Sequence, residues 1–272
     1  MNPQLQIKSP LAGPGVYPLV RRGEGLKHLS FTVLEMGPSL REHTLQSGDE
    51  ELAVDFYPGT VRVEVESPAG KLSEQAERRS IKDAGAMLFV PPNSKAKFTL
   101  VSDRARVGVA GALGKSGSPP VFIARDQVVS KQVGKPGWLR TVHTHIADNV
   151  DAAHLIVGET VNEPGQWSSS PPHKHDRLAP PNEVPMEEVY FFQVEPAGGF
   201  GFMRLYTAPG DAAPFDCAYT VEDGDTVLIP RGYHPVVAFP GYTLNYTWAL
   251  AGEGRTYGAW SDDPRHAWIK ET

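Results

Sequence analysis

Short segments with alternating or continuous apolar residues recur along the whole chain, and helical periodicity is scarce. The segments are rich in β-branched and aromatic residues and are bounded by Gly, Pro, Asp or Asn, which is typical of strands separated by turns. Predicted strands of the first half are Leu29–Met36, Gly59–Glu66, Ala86–Pro92, Lys97–Ser102 and Ala105–Ala112. Those of the second half are His154–Val161, Glu188–Val194, Gly201–Thr207, Asp225–Pro230 and Thr243–Leu250. This spacing predicts an all-β protein built as a sandwich, a barrel or a jelly roll.

One pattern occurs in both halves: a Gly, five mostly apolar residues and a Pro, at Gly85–Pro91 and at Gly224–Pro230. Alone it describes any buried strand between two turns, but a repeat offset by about half the chain indicates duplication. The region between the halves is loose, with Gly111–Pro120 and Lys131–Gly137 rich in Gly, Pro and Lys. We therefore expect two domains, at residues 1–130 and 131–272.

Composition narrows the classes of partner. The 272 residues are 40% hydrophobic and 21% charged, which is enough for a packed core. Net charge is −6, and the scattered Lys and Arg form no basic stripe of the kind that binds nucleic acid. No apolar run has the length of a signal peptide core or a membrane span, and the single Cys217 excludes an intrachain disulfide. We expect a cytoplasmic protein without nucleic-acid or membrane partners; a homo-oligomer stays open.

Three histidines and a glutamate of the second half form a candidate metal site. His173 and His175 are two residues apart, so on a strand both imidazoles face the same side. Glu188 begins the next predicted strand, and His234 follows a Pro-Arg-Gly turn at 230–232. A lone HxH pair is usually a surface accident, so the combination carries the prediction. Three imidazoles and a carboxylate suit one divalent ion, Zn first, with Mn, Fe, Co or Ni as alternatives.

These residues resemble the two motifs of the cupin superfamily, G-x5-HxH-x3-4-E-x6-G and G-x5-P-x-G-x2-H-x3-N. Two spacings depart from the first motif: Gly165 stands eight residues before His173, and twelve residues separate His175 from Glu188. The second motif has one residue fewer before its His. The resemblance implies a bicupin, that is, two tandem cupin (jelly-roll-like) β-barrels, with the N-terminal one degenerate and structural and the C-terminal one binding the metal.

The long spacing makes Glu187 a competitor for the glutamate ligand. We favour Glu188 because it is in register with Tyr190 and Phe192 on the following strand.

Other histidines fit the motifs less well. His143 and His145 also form an HxH pair after a Gly, but no second motif follows nearby, and we expect solvated histidines on an interdomain strand. In the first half, Asn93-Ser94-Lys95 occupies the place of the second-motif His, and the only two histidines, His28 and His43, are far apart. We expect no metal there.

Longer segments carry a more specific resemblance. SSSPPHKHD, MEEVYFFQ, GGFGFMRLYT, VLIPRGYHPVVAFPGY and DDPRHAWI resemble the 5-deoxy-glucuronate isomerase family of myo-inositol catabolism, which is similar to the 5-keto-4-deoxyuronate isomerases of pectin breakdown. The likeness runs through most of the chain and is densest from Arg140 to Ile269. It implies a metal-dependent aldose–ketose isomerase, an intramolecular oxidoreductase, which interconverts 5-deoxy-D-glucuronate and 2-deoxy-5-keto-D-gluconate. The substrate is then a small sugar acid.

The implied reaction needs a Lewis acid, a group that moves a proton and a cation for the substrate carboxylate. Candidates for proton transfer are Glu187, Asp176, Tyr190 and Tyr246, and a metal-assisted hydride shift without a base stays open. Candidates for the carboxylate are Arg204, Arg231 and Lys174, although a regular strand would turn Lys174 away from the two flanking histidines. Alternative functions are a cupin dioxygenase, which would consume O2, and a non-catalytic sugar-binding cupin.

Overall fold

Strands account for nearly all the regular structure in the computed structural model of this chain, which describes residues 3–115 and 117–271. The first strands are β1 (Gln6–Ile7), β2 (Gly15–Val20), β3 (Ser30–Met36), β4 (Glu42–Gln46), β5 (Glu50–Phe56), β6 (Gly59–Ser67), β7 (Gly70–Arg78), β8 (Met87–Val90), β9 (Lys95–Leu100), β10 (Ala105–Leu113), β11 (Val121–Ile123) and β12 (Val129–Val133). They are followed by β13 (Arg140–Ile146), β14 (Ile156–Asn162), β15 (Trp167–Ser168), β16 (His173–Lys174), β17 (Glu187–Glu195), β18 (Phe200–Tyr206), β19 (Asp216–Glu222), β20 (Thr226–Ile229), β21 (Val236–Ala238), β22 (Thr243–Ala251) and β23 (Ser261–Asp262).

Helical structure in the described residues consists of two 3₁₀ helices, Arg125–Gln127 and Ala267–Lys270. Neither has the length or the apolar character to cross a membrane.

All ten predicted strands form, each within two residues of its predicted bounds, and the all-β expectation is confirmed. The prediction missed β5, whose sequence EELAVDF does not alternate. Two of its polar residues, Glu51 and Asp55, are buried. Glu51 accepts hydrogen bonds from the N–H groups of Ala153 at 2.6 Å and His154 at 2.8 Å. Because buried acidic residues interrupt the apolar pattern, a strand that contains them is not recognised from its sequence.

The chain divides into two compact units, and neither is contiguous in sequence. The C-terminal unit comprises the segment that ends at Ser9, Lys131–Val142 and the chain from Glu159 onward. The N-terminal unit comprises Pro10–Ser130 and His143–Gly158. The domains predicted from the sequence, 1–130 and 131–272, were contiguous, whereas each unit takes a short segment from the opposite half.

The core of the N-terminal unit lies between a six-stranded sheet, in the order β11-β8-β5-β10-β3-β2, and a four-stranded sheet, β4-β9-β6-β7. On β6 the buried Val61, Val63 and Val65 alternate with exposed Arg62 and Glu64, so the strand presents one apolar face to that core. Removing this apolar surface from water stabilises the unit.

The C-terminal half repeats this arrangement. Its larger sheet has the order β1-β20-β17-β22-β14-β13-β12, and a four-stranded sheet has the order β15-β21-β18-β19. β17 pairs with β20 and β22, as β5 pairs with β8 and β10 in the first half. The Gly-x5-Pro segments supply the equivalent strands β8 and β20, which supports the predicted duplication. The fold is that of a bicupin.

The HxH pair of β13 differs from its expectation. His143 and His145 are buried, not solvated. His143 Nδ1 lies 2.8 Å from Ser130 Oγ, and His145 Nε2 lies 3.1 Å from the carbonyl oxygen of Gly85. The expectation was wrong because β13 is an interior strand of its sheet, between β14 and β12.

Candidate metal centre

The short strand β16 positions the first two histidines. It pairs with β23, His173 opposite Asp262, and the side chains of His173 and His175 extend to the same side, with ring centroids 6.2 Å apart. Lys174 extends to the other side, where its Nζ donates to Glu183 at 2.7 Å. The two-residue period of extended backbone therefore brings two imidazoles together.

A tight turn before β21 brings the third histidine. Gly232 has φ of +99°, and a Cβ there would lie 2.7 Å from the carbonyl oxygen of Tyr206, so the turn requires glycine. His234 follows, fully buried, with its ring centroid 4.6 Å from that of His173 and 5.2 Å from that of His175. One ring nitrogen from each histidine lies within 4.8 Å of the others, and this cluster could hold a metal ion.

Backbone carbonyls orient two of these rings. His175 Nδ1 donates to the carbonyl oxygen of Met186 at 2.6 Å, and His234 Nδ1 donates to that of Gly232 at 2.9 Å. A carbonyl only accepts, so each Nδ1 carries the proton and each Nε2 presents a lone pair to the cluster. His234 Nε2 is buried and has no hydrogen-bond partner among the described residues. A buried lone pair that meets other imidazole nitrogens fits a bound cation.

Glu188 is the acid beside the cluster. Its Oε2 lies 3.2 Å from His175 Nε2 and 3.4 Å from His234 Nε2, and its side chain is buried. On β17 it alternates with Glu187, so the two carboxylates leave opposite faces of the strand. Only Glu188 lines the cavity in front of the cluster.

Burial shapes the charge of the cluster. Burial, with help from His234 and His175, holds the pKa of His173 well below its usual range, and burial lowers the pKa of His234 to about 4. Both are then neutral at pH 7, the form that binds a metal. Burial also acts to lower the pKa of His175, but the hydrogen bond that Nε2 of the protonated ring donates to Glu188 outweighs it and raises that pKa. The carboxylate thus attracts positive charge to the space between the rings.

A cavity of about 300 Å³ opens in front of the histidines, on one face of the larger sheet of the C-terminal unit. Alternate residues of neighbouring strands line it: Tyr190 lies opposite Trp248 in the register of β17 and β22, and Glu188 lies opposite Leu250. Trp260 covers another side, 5.2 Å from His173 between ring centroids. Much of its wall is therefore aromatic, and the histidines and Glu188 supply polar groups on one side.

Two of the four residues predicted for proton transfer line this cavity. The rings of Tyr190 and Tyr246 are 4.5 Å apart, and the Tyr246 hydroxyl donates to Ser168 Oγ at 2.8 Å. Burial raises the pKa of Tyr246, and burial with the nearby Glu188 raises that of Tyr190 well above its usual value. Both hydroxyls therefore stay protonated at neutral pH and are donors.

The other two residues lie outside the cavity. Glu187 is on the opposite face of β17. Asp176 accepts from the N–H of Gly232 at 2.9 Å and from Lys174, so it holds the turn that precedes His234.

The cations predicted for the substrate carboxylate also lie outside the cavity. Each is in an ion pair with acids of its own neighbourhood: Arg204 with Asp216, Arg231 with Asp211, and Lys174 with Glu183 and Asp176. The cavity instead contains Arg140 and Lys270, which sequence reasoning missed. Arg140 and Val142 are two residues apart on β13. The sequence therefore shows that their side chains share a face of the strand, but not which residues that face contacts.

This chain is similar to known proteins over most of its length. Residues 12–269 match the KduI/IolB family. A protein from Geobacillus thermodenitrificans strain NG80-2, named 5-deoxy-glucuronate isomerase, is 32% identical over 91% of this chain and 88% of its own. One of the same name from Bacillus subtilis strain 168 is 31% identical over 94% and 93%.

Solved structures include an IolB-like protein from Salmonella typhimurium LT2, with 26% identity and a TM-score of 0.89 over 98% of this chain and 100% of that one. The oxalate decarboxylase of Lactobacillus farciminis, solved as a formate complex, has a TM-score of 0.70 over 100% of this chain and 91% of its own. At 11% identity it supports the fold alone.

Proposed function

Because this chain belongs to the KduI/IolB family, we propose that it is a metal-dependent aldose–ketose isomerase that interconverts 5-deoxy-D-glucuronate and 2-deoxy-5-keto-D-gluconate, a step of myo-inositol catabolism. One observation carries the proposal: three histidines and Glu188 cluster together, and His173, His175 and Glu188 of this cluster line a sugar-sized cavity. Relatives named 5-deoxy-glucuronate isomerase match this chain over most of their length, which supports the same reaction.

The metal would be held by His173, His175 and His234 through ring nitrogens, with Glu188 as the fourth ligand. Zn fits this donor set first, and Mn, Fe, Co and Ni fit the same nitrogens and oxygen. When bound, the ion supplies a Lewis acid that polarises the carbonyl and neighbouring hydroxyl of the sugar.

Tyr190 supplies a donor of the proposed reaction, and Tyr246, whose hydroxyl donates to Ser168 Oγ, packs against its ring. The protonated hydroxyl of Tyr190 would stabilise the sugar oxygen that gains negative charge as the carbonyl moves between neighbouring carbons. Trp248 and Trp260 shield the same space from water, which strengthens these hydrogen bonds.

A direct assay tests the function. Metal-loaded protein is incubated with 5-deoxy-D-glucuronate without O2, nicotinamide or ATP, and the aldehyde proton at C1 is followed by NMR. We expect the signal to decay to an equilibrium mixture with the ketose, to persist when a chelator is added, and to decay again when Zn or Mn is restored. Absence of conversion with every divalent metal would contradict the isomerase, and strict dependence on O2 would indicate the dioxygenase. Uptake of solvent deuterium at the transferred position would indicate a proton transfer, and its absence a hydride shift.

A further inference from the structure

The cavity beside the histidine cluster contains an arginine, Arg140, that has no acidic partner among the described residues. Arg140 makes two hydrogen bonds within the described residues, both from Nη1, to the carbonyl oxygens of Val133 and Trp138, each at 3.4 Å. These are long for hydrogen bonds of a charged donor. No carboxylate of the described residues forms an ion pair with it, in contrast to Arg204 and Arg231.

A guanidinium has five N–H donors and keeps its charge in proteins, so most of the capacity of Arg140 is unused. Burial acts to lower its pKa, and the phenols of Tyr246, Tyr190 and Tyr257 oppose that effect. These are residues of the cavity wall, so the guanidinium lies among them. A charge that is partly removed from water and lacks a counterion costs free energy, which an anionic ligand would offset.

Arg140 lines the same cavity as His173, His175 and Glu188 of the metal cluster, and Lys270 is the second cation of that wall. Lys270 is already paired with Asp262, which lines the cavity as well. Glu188 is engaged at the histidines. Arg140 is therefore the cavity cation whose charge is available to a ligand, and the Trp138 ring lies 5.7 Å from its Cζ.

We propose that Arg140 binds the carboxylate of a sugar acid whose carbonyl end lies at His173, His175 and His234. This inference rests on the proposed function, because it takes the substrate to be an acid. A planar guanidinium matches a carboxylate through two parallel hydrogen bonds, which gives direction as well as attraction. If Arg140 binds the carboxylate and the histidine cluster binds the carbonyl end, the site selects sugar acids over neutral sugars and binds them in one orientation. Neutral aldoses would then bind poorly.

Binding tests the assignment without turnover. Metal-loaded protein is titrated by calorimetry with D-glucuronate and with its neutral counterpart D-glucose. We expect wild type to prefer D-glucuronate, and Arg140→Gln to weaken D-glucuronate binding by about 10- to 100-fold, the effect of losing one charge-assisted pair, with D-glucose binding unchanged. Arg140→Lys should lose less affinity, because it keeps the charge but cannot form two parallel hydrogen bonds to the carboxylate.

Arg62→Gln, on the exposed face of β6, is the matched surface control. Metal content and thermal unfolding of each variant verify the fold, and Arg140→Lys decides the question if Arg140→Gln does not fold.

Equal D-glucuronate affinity in wild type and Arg140→Gln would overturn the assignment, and so would a wild type that does not prefer D-glucuronate to D-glucose. Kinetics separate this inference from the proposed function. If 5-deoxy-D-glucuronate is converted and its KM is unchanged in Arg140→Gln, the isomerase stands and the carboxylate site is wrong. If it is not converted but D-glucuronate binding depends on Arg140, the carboxylate site stands and the isomerase is wrong.

Discussion

Among single residues, the partner of Nδ1 determines what a buried histidine can do. In His175 and His234 a backbone carbonyl accepts from Nδ1, so Nε2 is left as a lone-pair donor toward the cluster. In His143 a hydroxyl lies at Nδ1, and the buried side chain is not part of the wall of the cavity in front of the histidine cluster. Two HxH pairs of the same sequence pattern therefore have different chemistry.

The first prediction follows from this difference. His234→Ala and His175→Ala should each lower the affinity for the divalent ion by more than about 100-fold, since even partners outside the ligand set contribute 10- to 100-fold. His143→Ala should keep its metal, although it removes a buried side chain. Elemental analysis after dialysis measures the ion content of each variant. Full metal content in His234→Ala would contradict the assignment of His234 as a metal ligand.

At the scale of an element, β17 separates two adjacent carboxylates. Its two-residue period sends Glu188 to the cavity with Tyr190 and sends Glu187 to the other face. We predict that Glu188→Gln weakens metal binding and lowers kcat/KM by at least about 10-fold, and that Glu187→Gln changes neither. Metal titration and the NMR assay measure both effects. The opposite ranking would mean that Glu187 is the ligand.

The segment between His175 and β17 is held by a buried acid. Glu183 accepts from Lys174 Nζ at 2.7 Å and from the N–H groups of Asp176 and Arg177, each at 2.9 Å. Burial acts to raise the pKa of Glu183, but the hydrogen bonds from Lys174 and from the backbone of Asp176 outweigh it and lower the pKa to about 2. This acid therefore ties the segment between His175 and β17 to Lys174 of β16.

The pKa gives a pH-dependent prediction. A carboxyl whose folded-state pKa of about 2 lies below its ordinary 4.5 contributes fully to stability above about pH 4.5, and the contribution disappears as the pH falls toward 2. Glu183→Gln should lower the free energy of unfolding by about 1–3 kcal/mol at pH 7, and the gap to wild type should close between pH 4.5 and 2. Denaturant unfolding of both proteins across this range measures it. A gap that does not depend on pH would contradict the ion pair.

For the whole molecule, the N-terminal segment belongs to the unit that carries the histidines. Gln6 and Ile7 of β1 pair with Val227 and Thr226 of β20, and Lys8 Nζ donates to Asp225 at 2.6 Å. Leu5 is buried nearby, its carbonyl accepting from the N–H of Leu228. β20 leads into the turn that presents His234, so the N-terminal segment supports the site.

Deletion of residues 1–9 should therefore lower the free energy of unfolding by about 2 kcal/mol or more, the contribution of burying one leucine side chain. Residues 131–272 alone lack this strand and should be poorly soluble or less stable than the full chain. Thermal unfolding and solubility measure both. An unchanged Tm after the deletion, or full activity of residues 131–272, would contradict the supporting role.

The N-terminal unit should bind no metal. Where the second half has its turn and His234, the first half has Asn93 with φ of 57° and Ser94, which is hydrogen-bonded to Ser47. We expect one divalent ion per chain by elemental analysis. A second ion that disappears in His28→Ala or His43→Ala would contradict this.

The sequence by itself determined the local features of this protein. The two-residue period of each strand, the Gly-x5-Pro repeat and the HxH spacing are properties of a few neighbouring residues, and they sufficed for the all-β fold, its duplication and the grouping of His173 with His175. The types of donor followed as well, because three imidazoles and a carboxylate suit a metal in any fold.

Only the tertiary structure decided which charged groups meet. Arg204 and Arg231 lie beside the motifs in sequence yet pair with acids away from the cavity, whereas Arg140, about 90 residues before His234, lines it. The burial of His143 and the position of β1 beside β20 depended in the same way on strand order. The physical reason is that a strand's own pattern defines which residues share a face, while pairing between distant strands defines what that face contacts.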